Sequence, residues 1–415
     1  MACAEPARSG RADVTGGGQQ AVLILMSDTG GGHRRAAEAV AAALGQRYPG
    51  YFRPVLCDPL AGPASAWPLR RLARLYGPLI RRAPWAWGAA YHLTNSRAVM
   101  AALWRTVFAL ADRPVRRATE EARPAVIVSC HPLTGRAAVR AARRAPGTPV
   151  VTVVTDLVSV HASWRYPGAD QIAVATREAG AAVSAALPTV ACTHTGLPVA
   201  APATCTRPAG PVDTGTSERA AHRRELAIPA SVFVVLLTGG AEGCGRLGRR
   251  TRAILGALPD VHVVTVCGRN ARLLRRLRKL RESGRVSSAR LTTVGFADGM
   301  ADWLRSADVV VTKPGPGILA EAACCATPVL VTSHLPGQER GNGELVTRAG
   351  AGRSARGIGG MVRALAELSS DPVTLARMRA ASGSVARPEA AAAVADLIAR
   401  QCARQSAATP ARAAR

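Results

Sequence analysis

Apolar residues along this chain gather in short unbroken runs instead of alternating with polar ones. In the first half the runs are "AVLILMS" (21–27), "PAVIVSC" (124–130), "PVVTVVTD" (149–156), "QIAVAT" (171–176) and "VACTHTGLPV" (190–199). Strands covered on both faces of a parallel sheet have this pattern, whereas half-exposed strands alternate. Helical segments lie between them, the clearest at 34–47. Then the rhythm stops. "AAPATCTRPAGPVDTGTSE" (200–218) is rich in Pro, Thr, Ala and Gly and has no period, which predicts a linker over 201–218. A second series follows with "SVFVVLLTGG" (231–240), "VHVVTVCG" (261–268), "ARLTTVGF" (289–296), "ADVVVTKPG" (307–315) and "TPVLVTS" (327–333). Each run closes on Gly, Thr, Asp or Ser, and functional loops of parallel α/β sheets sit at those carboxyl ends. The pattern predicts two doubly wound, Rossmann-like α/β domains, 20–200 and 219–385, facing each other across a cleft. Residues 1–19, small and Gly-rich, and the Ala/Arg-rich tail 404–415 are expected to be disordered.

One segment breaks the rhythm. "WPLRRLARLYGPLIRRAPWAWGAAYHLTNSRAVMAALWRTV" (67–107) sets Trp67, Trp85, Trp87 and Trp104 among many arginines. Such a mixture suits a membrane–water interface, with Trp85 and Trp87 at headgroup level and Arg70, Arg71, Arg74, Arg81 and Arg82 against lipid phosphates. It equally suits a helical hairpin whose aromatics are core.

Charge sharpens the question. There are 54 Lys plus Arg against 27 Asp plus Glu, a formal net charge of +27, with lysine only at 279 and 313. That balance fits an anionic partner (nucleic acid, acidic lipid or nucleotide phosphate), or a bias of composition toward Arg and Ala. The ten cysteines form no C-x-x-C pair, which argues against a disulfide framework or a metal site and fits a reducing cytoplasm. No apolar run approaches the roughly 20 residues of a membrane span, and no secretory signal core is present, so any membrane attachment is expected to be peripheral.

Each predicted domain opens with a strand and a glycine turn, "SDTGGGH" (27–33) and "TGGAEGCG" (238–245). Glycine lets backbone N–H groups approach an anion or a sugar, and the next helix adds the positive end of its dipole. Neither turn matches G-x-G-x-x-G or G-x-x-x-x-G-K-[ST], against dinucleotide oxidoreductases and P-loop enzymes. The stretch 312–346, "TKPGPGILAEAACCATPVLVTSHLPGQERGNGELV", orders a strand end, a helix start, Glu321 one turn in, and a polar loop with Gln338, Glu339 and Asn342. Helix N–H groups take phosphate, a carboxylate accepts two ribose hydroxyls, and amides read sugar hydroxyls.

Together these motifs resemble glycosyltransferase family 28, and within it the diacylglycerol glycosyltransferases of the monogalactosyldiacylglycerol synthase type. The resemblance covers about residues 21–385. It rests on "SDTGGGHRRAAEAV", "VSCHPL", "VVTDLVSVHASW" and "TGLPV", then "TGGAEG", "VCGRN", "VGF", "DVVVTKPGPGILAEA" and "PGQERGN". It implies a GT-B fold with a last helix, 386–403, crossing back to the first domain. It also implies a UDP-sugar donor (UDP-glucose or UDP-galactose), diacylglycerol or a related lipid as acceptor, inversion at the anomeric carbon, no metal, and peripheral attachment to the inner face of the cell membrane. On this resemblance His33 is the base that takes the acceptor proton, with Asp156 and His161 as its alternatives or as groups that orient it. Gly31, Gly32, His131 and His161 fall on the acceptor side. Gly239, Gly240, Glu242, Arg269, Asn270, Phe296, Gly315, Pro316, Gly317, Glu321, Gln338, Glu339 and Asn342 form the donor side. Segment 57–108 does not align with the family, which leaves the acceptor open.

Two further enzymes fit the same motifs: a transferase of this fold acting on lipid II-type precursors or a secondary metabolite, and a UDP-N-acetylglucosamine 2-epimerase. A nucleic-acid-binding protein would account for the charge but not for the ordered loops, so no nucleic acid is expected.

Overall fold

The computed structural model describes residues 19–200, 214–284 and 286–413. Six parallel strands form the first sheet: β1 (Gln20–Leu25), β2 (Phe52–Cys57), β3 (Val126–Ser129), β4 (Val150–Val154), β5 (Gln171–Val174) and β6 (Ala191–His194), in the order β2-β1-β3-β4-β5-β6. The second repeats the scheme with β7 (Phe233–Thr238), β8 (Val261–Val266), β9 (Leu291–Val294), β10 (Val309–Thr312), β11 (Val329–Val331) and β12 (Gly352–Ser354), in the order β12-β11-β10-β7-β8-β9. Helices cover both faces. That is why β1, β3, β4, β7, β8 and β10 are almost wholly apolar and buried. In each sheet the order reverses beside the first strand, between β1 and β3 and between β7 and β10. Crevices open at such reversals, outside the carboxyl ends of the strands.

Two edge strands, β2 and β12, escape the sequence pattern. β2 carries Arg53 and Pro54, and β12 is the three residues Gly-Arg-Ser. An edge strand is half uncovered, so it needs no continuous apolar run and tolerates proline.

Residues 201–213 of the expected linker lie outside the described residues, as do 1–18 of the expected disordered start. The rest of the linker is not irregular: a helix runs Thr214–Glu225, and Arg223 anchors it by donating to Asp308 at 2.6 Å. The tail also differs from expectation, because the last helix spans Ala390–Ala413. It packs on the first domain, with Val394, Leu397 and Ile398 against the layer of Val22, Ile24, Val40 and Leu44. Tyr48 donates to Asp396 at 2.8 Å and Arg47 pairs with the same carboxylate. The chain therefore crosses back and ties its end to its beginning.

Candidate active site

The first domain's contribution starts at the turn after β1. Gly30 and Gly31 both have φ of +80°, a left-handed backbone that side chains disfavour, and Gly31 caps the helix Gly32–Arg47. Space excludes side chains too. A Cβ on Gly30 would come within 2.9 Å of the Tyr76 ring, and one on Gly31 within 3.0 Å of Ala241 in the other domain. The turn thus brings His33, the second helical residue, into the cleft at the ends of β3 and β4. Its Nδ1 meets the Thr155 hydroxyl at 2.9 Å, and its ring lies edge-on to His131 with centroids 4.5 Å apart. Burial lowers the His33 imidazole to about 4, partly offset by a hydrogen bond to the Cys130 carbonyl. The ring is therefore neutral at physiological pH.

His131 is buried and held well below its usual range, first by burial and then by His33. Its Nδ1 accepts from Leu133 N–H at 3.2 Å, so its Nε2 carries the proton and donates to Thr29 Oγ1 at 2.9 Å. Asp156 also lines the cleft. Its Oδ2 accepts from the Trp164 indole at 3.0 Å and from His161 N–H at 3.3 Å, and burial pushes the carboxyl up to about 7.

The second domain supplies the opposite wall. Gly315 caps the helix Pro316–Cys324, and Gly315, Pro316 and Gly317 face the cleft with nothing within 4 Å of a Cβ on Gly317. Gly240, at φ +74°, lines the same space, while Gly239 is fixed by the backbone of Cys244 behind it. Glu321 is buried. Its Oε1 pairs with Arg35 of the first domain at 3.3 Å, and its Oε2 is buried with no partner among the described residues. Burial raises this carboxyl, and Arg35 opposes the shift. Glu339 is buried as well, paired with Lys313 and accepting from Leu335 N–H at 2.7 Å. Gln338 faces the cleft with a buried, unpartnered Oε1. Phe296, 42% exposed, lies between the guanidinium groups of Arg35 and Arg269, 5.9 and 5.1 Å from its centroid.

Several expected site residues are placed otherwise. Asn270 caps the helix Ala271–Glu282 by accepting from Leu273 N–H at 3.0 Å, the ordinary work of Asn at a helix start. His161 is buried in the first domain, with Nδ1 at 2.7 Å from Ser163 Oγ and Nε2 at 3.1 Å from the Tyr91 carbonyl, and it is not among the residues that line the cleft. Asn342 sits beneath the turn that leads into the helix Pro316–Cys324, donating to the Pro314 carbonyl at 3.0 Å. Glu242 and Arg269 stand at the rim and are engaged across it. Glu242 pairs with Arg81 and, at 3.3 Å, with Arg269, whose Nη2 reaches both oxygens of Asp28 at 2.8 and 2.7 Å. The sequence reading missed Arg35, Tyr76 and Thr155, each of which reaches the cleft.

The segment that broke the sequence rhythm folds into helices Trp67–Arg82, Pro84–Thr94 and Arg97–Arg105. Leu69, Ile80, Met100 and Trp104 are core, while Trp67, Leu72, Leu75, Trp85 and Leu93 are exposed, Trp85 by 74%. Arg70, Arg71 and Arg74 line a shallow groove with Trp67 and Leu75 on the outer face, and Arg82 is exposed too. Two expected membrane residues point elsewhere: Trp87 packs edge-on against Tyr76, and Arg81 spans to Glu242. The inner side of the segment touches the loop that carries Gln338 and Glu339, with Gly88 beside Pro336 and Tyr91 beside Gly337. Among the described residues no helix is long and apolar enough to cross a membrane, and no cluster of three His, Cys, Asp or Glu side chains could hold a metal.

Residues 33–199 match the family model of monogalactosyldiacylglycerol (MGDG) synthase. A curated probable monogalactosyldiacylglycerol synthase of Glycine max is 30% identical over 365 residues, 85% of this chain. The chain spans 66% of that relative's length and 59% of the Arabidopsis thaliana monogalactosyldiacylglycerol synthase 1, also 30% identical over 77% of this chain. Among solved structures, MurG of Acinetobacter baumannii aligns with a TM-score of 0.56 at 18% identity, covering 92% of this chain and 99% of that one. A UDP-N-acetylglucosamine 2-epimerase-like protein of Listeria monocytogenes aligns equally well, at 0.56 and 13% identity over 90% of this chain and 94% of its own. The architecture is GT-B, and the fold alone does not separate transferase from epimerase.

Proposed function

We propose that this chain, which belongs to the monogalactosyldiacylglycerol synthase-like glycosyltransferases, moves a hexose from UDP-glucose or UDP-galactose to a neutral lipid hydroxyl, with inversion and at a membrane surface. One observation carries the reading: a neutral imidazole, His33, shares a cleft with a buried carboxylate, Glu321, that has one oxygen unpartnered beside a helix N-terminus. Glu321 Oε2 suits a ribose hydroxyl. The Gly315–Gly317 backbone and Lys313 suit the diphosphate. Gln338 suits a sugar hydroxyl and Phe296 the uracil ring. The acceptor oxygen attacks the anomeric carbon from the face opposite UDP, and His33 takes its proton. The bond from that carbon to the diphosphate oxygen breaks, and UDP leaves with the electron pair. The reading calls for no metal, because a helix N-terminus and a lysine already face the leaving charge. Thr155, on His33 Nδ1, holds the ring's orientation.

The lipid acceptor is supported by the exposed apolar and arginine-rich face of 67–105, which an epimerase does not need. Attachment would be peripheral, on the cytoplasmic face of the membrane. Incubation with labelled UDP-glucose, UDP-galactose and UDP-N-acetylglucosamine, with and without diacylglycerol, tests the proposal. Label appearing in lipid supports it. Label confined to a converted nucleotide sugar indicates the epimerase.

A further inference from the structure

Tyr76 has no role in the scheme above, yet it stands at its centre. It lies on the helix Trp67–Arg82, which exposes Leu72 and Leu75 to the surroundings. Its ring covers Gly30 of the catalytic turn, and Trp87 supports it edge-on at 4.9 Å. It lines the cleft with His33, Asp156 and Glu339. Its hydroxyl makes no hydrogen bond to any described residue, although the ring is well packed. Burial, and then the carboxylates of Glu339, Glu242 and Asp156 nearby, keep the phenol protonated far above neutral pH. A protonated phenol open to a cleft is a hydrogen-bond donor awaiting an acceptor atom. An acceptor that reaches His33 in this cleft has that donor on the same wall.

We propose that Tyr76 is an acceptor-positioning residue whose hydroxyl donates to an ester carbonyl oxygen of the lipid, fixing the neighbouring free hydroxyl against His33. This rests on the transferase reading. A carbonyl is the matching group because it accepts from a neutral donor and brings no charge to a place where Glu339 and Glu242 are already paired with Lys313, Arg81 and Arg269.

The test compares wild type with Tyr76→Phe, which keeps the ring on Gly30 and removes only the hydroxyl. Transfer is measured to dioctanoylglycerol and to its dioctyl ether analogue, which lacks both carbonyls, and UDP affinity is measured by calorimetry. The expected result is a loss of about 3–10-fold in kcat/KM with the ester, the scale of one neutral hydrogen bond. The ether rate and UDP affinity should stay unchanged. Equal loss with both lipids, or no loss with either, overturns the assignment. If wild type itself binds UDP but transfers to neither lipid, the transferase reading falls and takes this inference with it, an outcome visible before the variant is examined.

Discussion

Replacing Asp156 by asparagine should make the protein more stable at pH 8 and less active there. Asp156 is buried, and its Oδ2 already accepts two hydrogen bonds that an amide oxygen can also accept. Burial nevertheless moves its carboxyl from 3.8 up to about 7. The folded chain therefore holds a proton between about pH 4 and 7 that the unfolded chain has released, and stability falls as pH rises through that window. By pH 8 the full cost of the buried charge, roughly 4 kcal/mol, is in place, and at pH 5 only about 1–2 kcal/mol is. Asparagine carries no such cost. Its advantage should be about 2–4 kcal/mol at pH 8, or about 5–12 °C in Tm for a domain of this size, and should shrink by more than half at pH 5. Thermal scans of both proteins at both pH values provide the assay, with initial transfer rates beside them. A Tm difference that ignores pH, or a variant less stable at pH 8, would refute the buried-acid account. A stabilised variant with unimpaired turnover would show that the carboxylate serves no step of the reaction, since residues retained against stability are retained for function.

Three other outcomes follow from the site. Glu321→Gln should weaken UDP binding by about 1–3 kcal/mol, and wild-type affinity should decline on acidification from above the usual carboxylate range, because this carboxyl is raised; calorimetry across pH reads both. His33→Ala should lower turnover by roughly 10²–10⁴-fold with UDP affinity kept, and because the wild-type ring is held near 4, its rate should not fall from protonating His33 until well below pH 6. Changing Arg70, Arg71 and Arg74 together to Gln should reduce sedimentation with phosphatidylglycerol vesicles by the equivalent of about 1 kcal/mol per arginine, and 0.5 M salt should mimic it in wild type; binding indifferent to both would remove the lipid role of this face.

Strands buried on both faces were legible because their chemistry is local and continuous, and the two glycine turns because their backbone allows little else. What the sequence hid depends on distance along the chain. Arg35 reads as one of many surface arginines until the fold sets it against Glu321, 286 residues away. Tyr76 reads as an interfacial aromatic until its helix lays it on Gly30. Thr155 was overlooked because the neighbouring Asp156 drew the catalytic assignment, yet it is the threonine hydroxyl that meets the imidazole. Asn270 has a role legible from local sequence: an Asn just ahead of a helical stretch signals a cap, and it accepts from Leu273 N–H.

The excess of arginine divides by the same reasoning. Arg219, Arg223 and Arg379 converge on the single carboxylate of Asp308 at 3.4, 2.6 and 3.8 Å, where burial lowers Arg379 to about 9. Arg223 also donates to the Ser306, Ala230 and Val232 carbonyls, so this group ties the start of the second sheet together. Arg35, Arg81 and Arg269 bridge the domains through Glu321, Glu242 and Asp28. Arg70, Arg71, Arg74 and Arg82 lie on the outer face of the first domain. Net charge alone therefore could not identify the partner. Only the last group lies beside exposed Trp67 and Leu75, and this shared face, rather than the total of +27, supports a lipid surface over nucleic acid. The bridging group differs again: Arg35 pairs across the cleft with Oε1 of Glu321 and leaves Oε2 buried with no partner among the described residues.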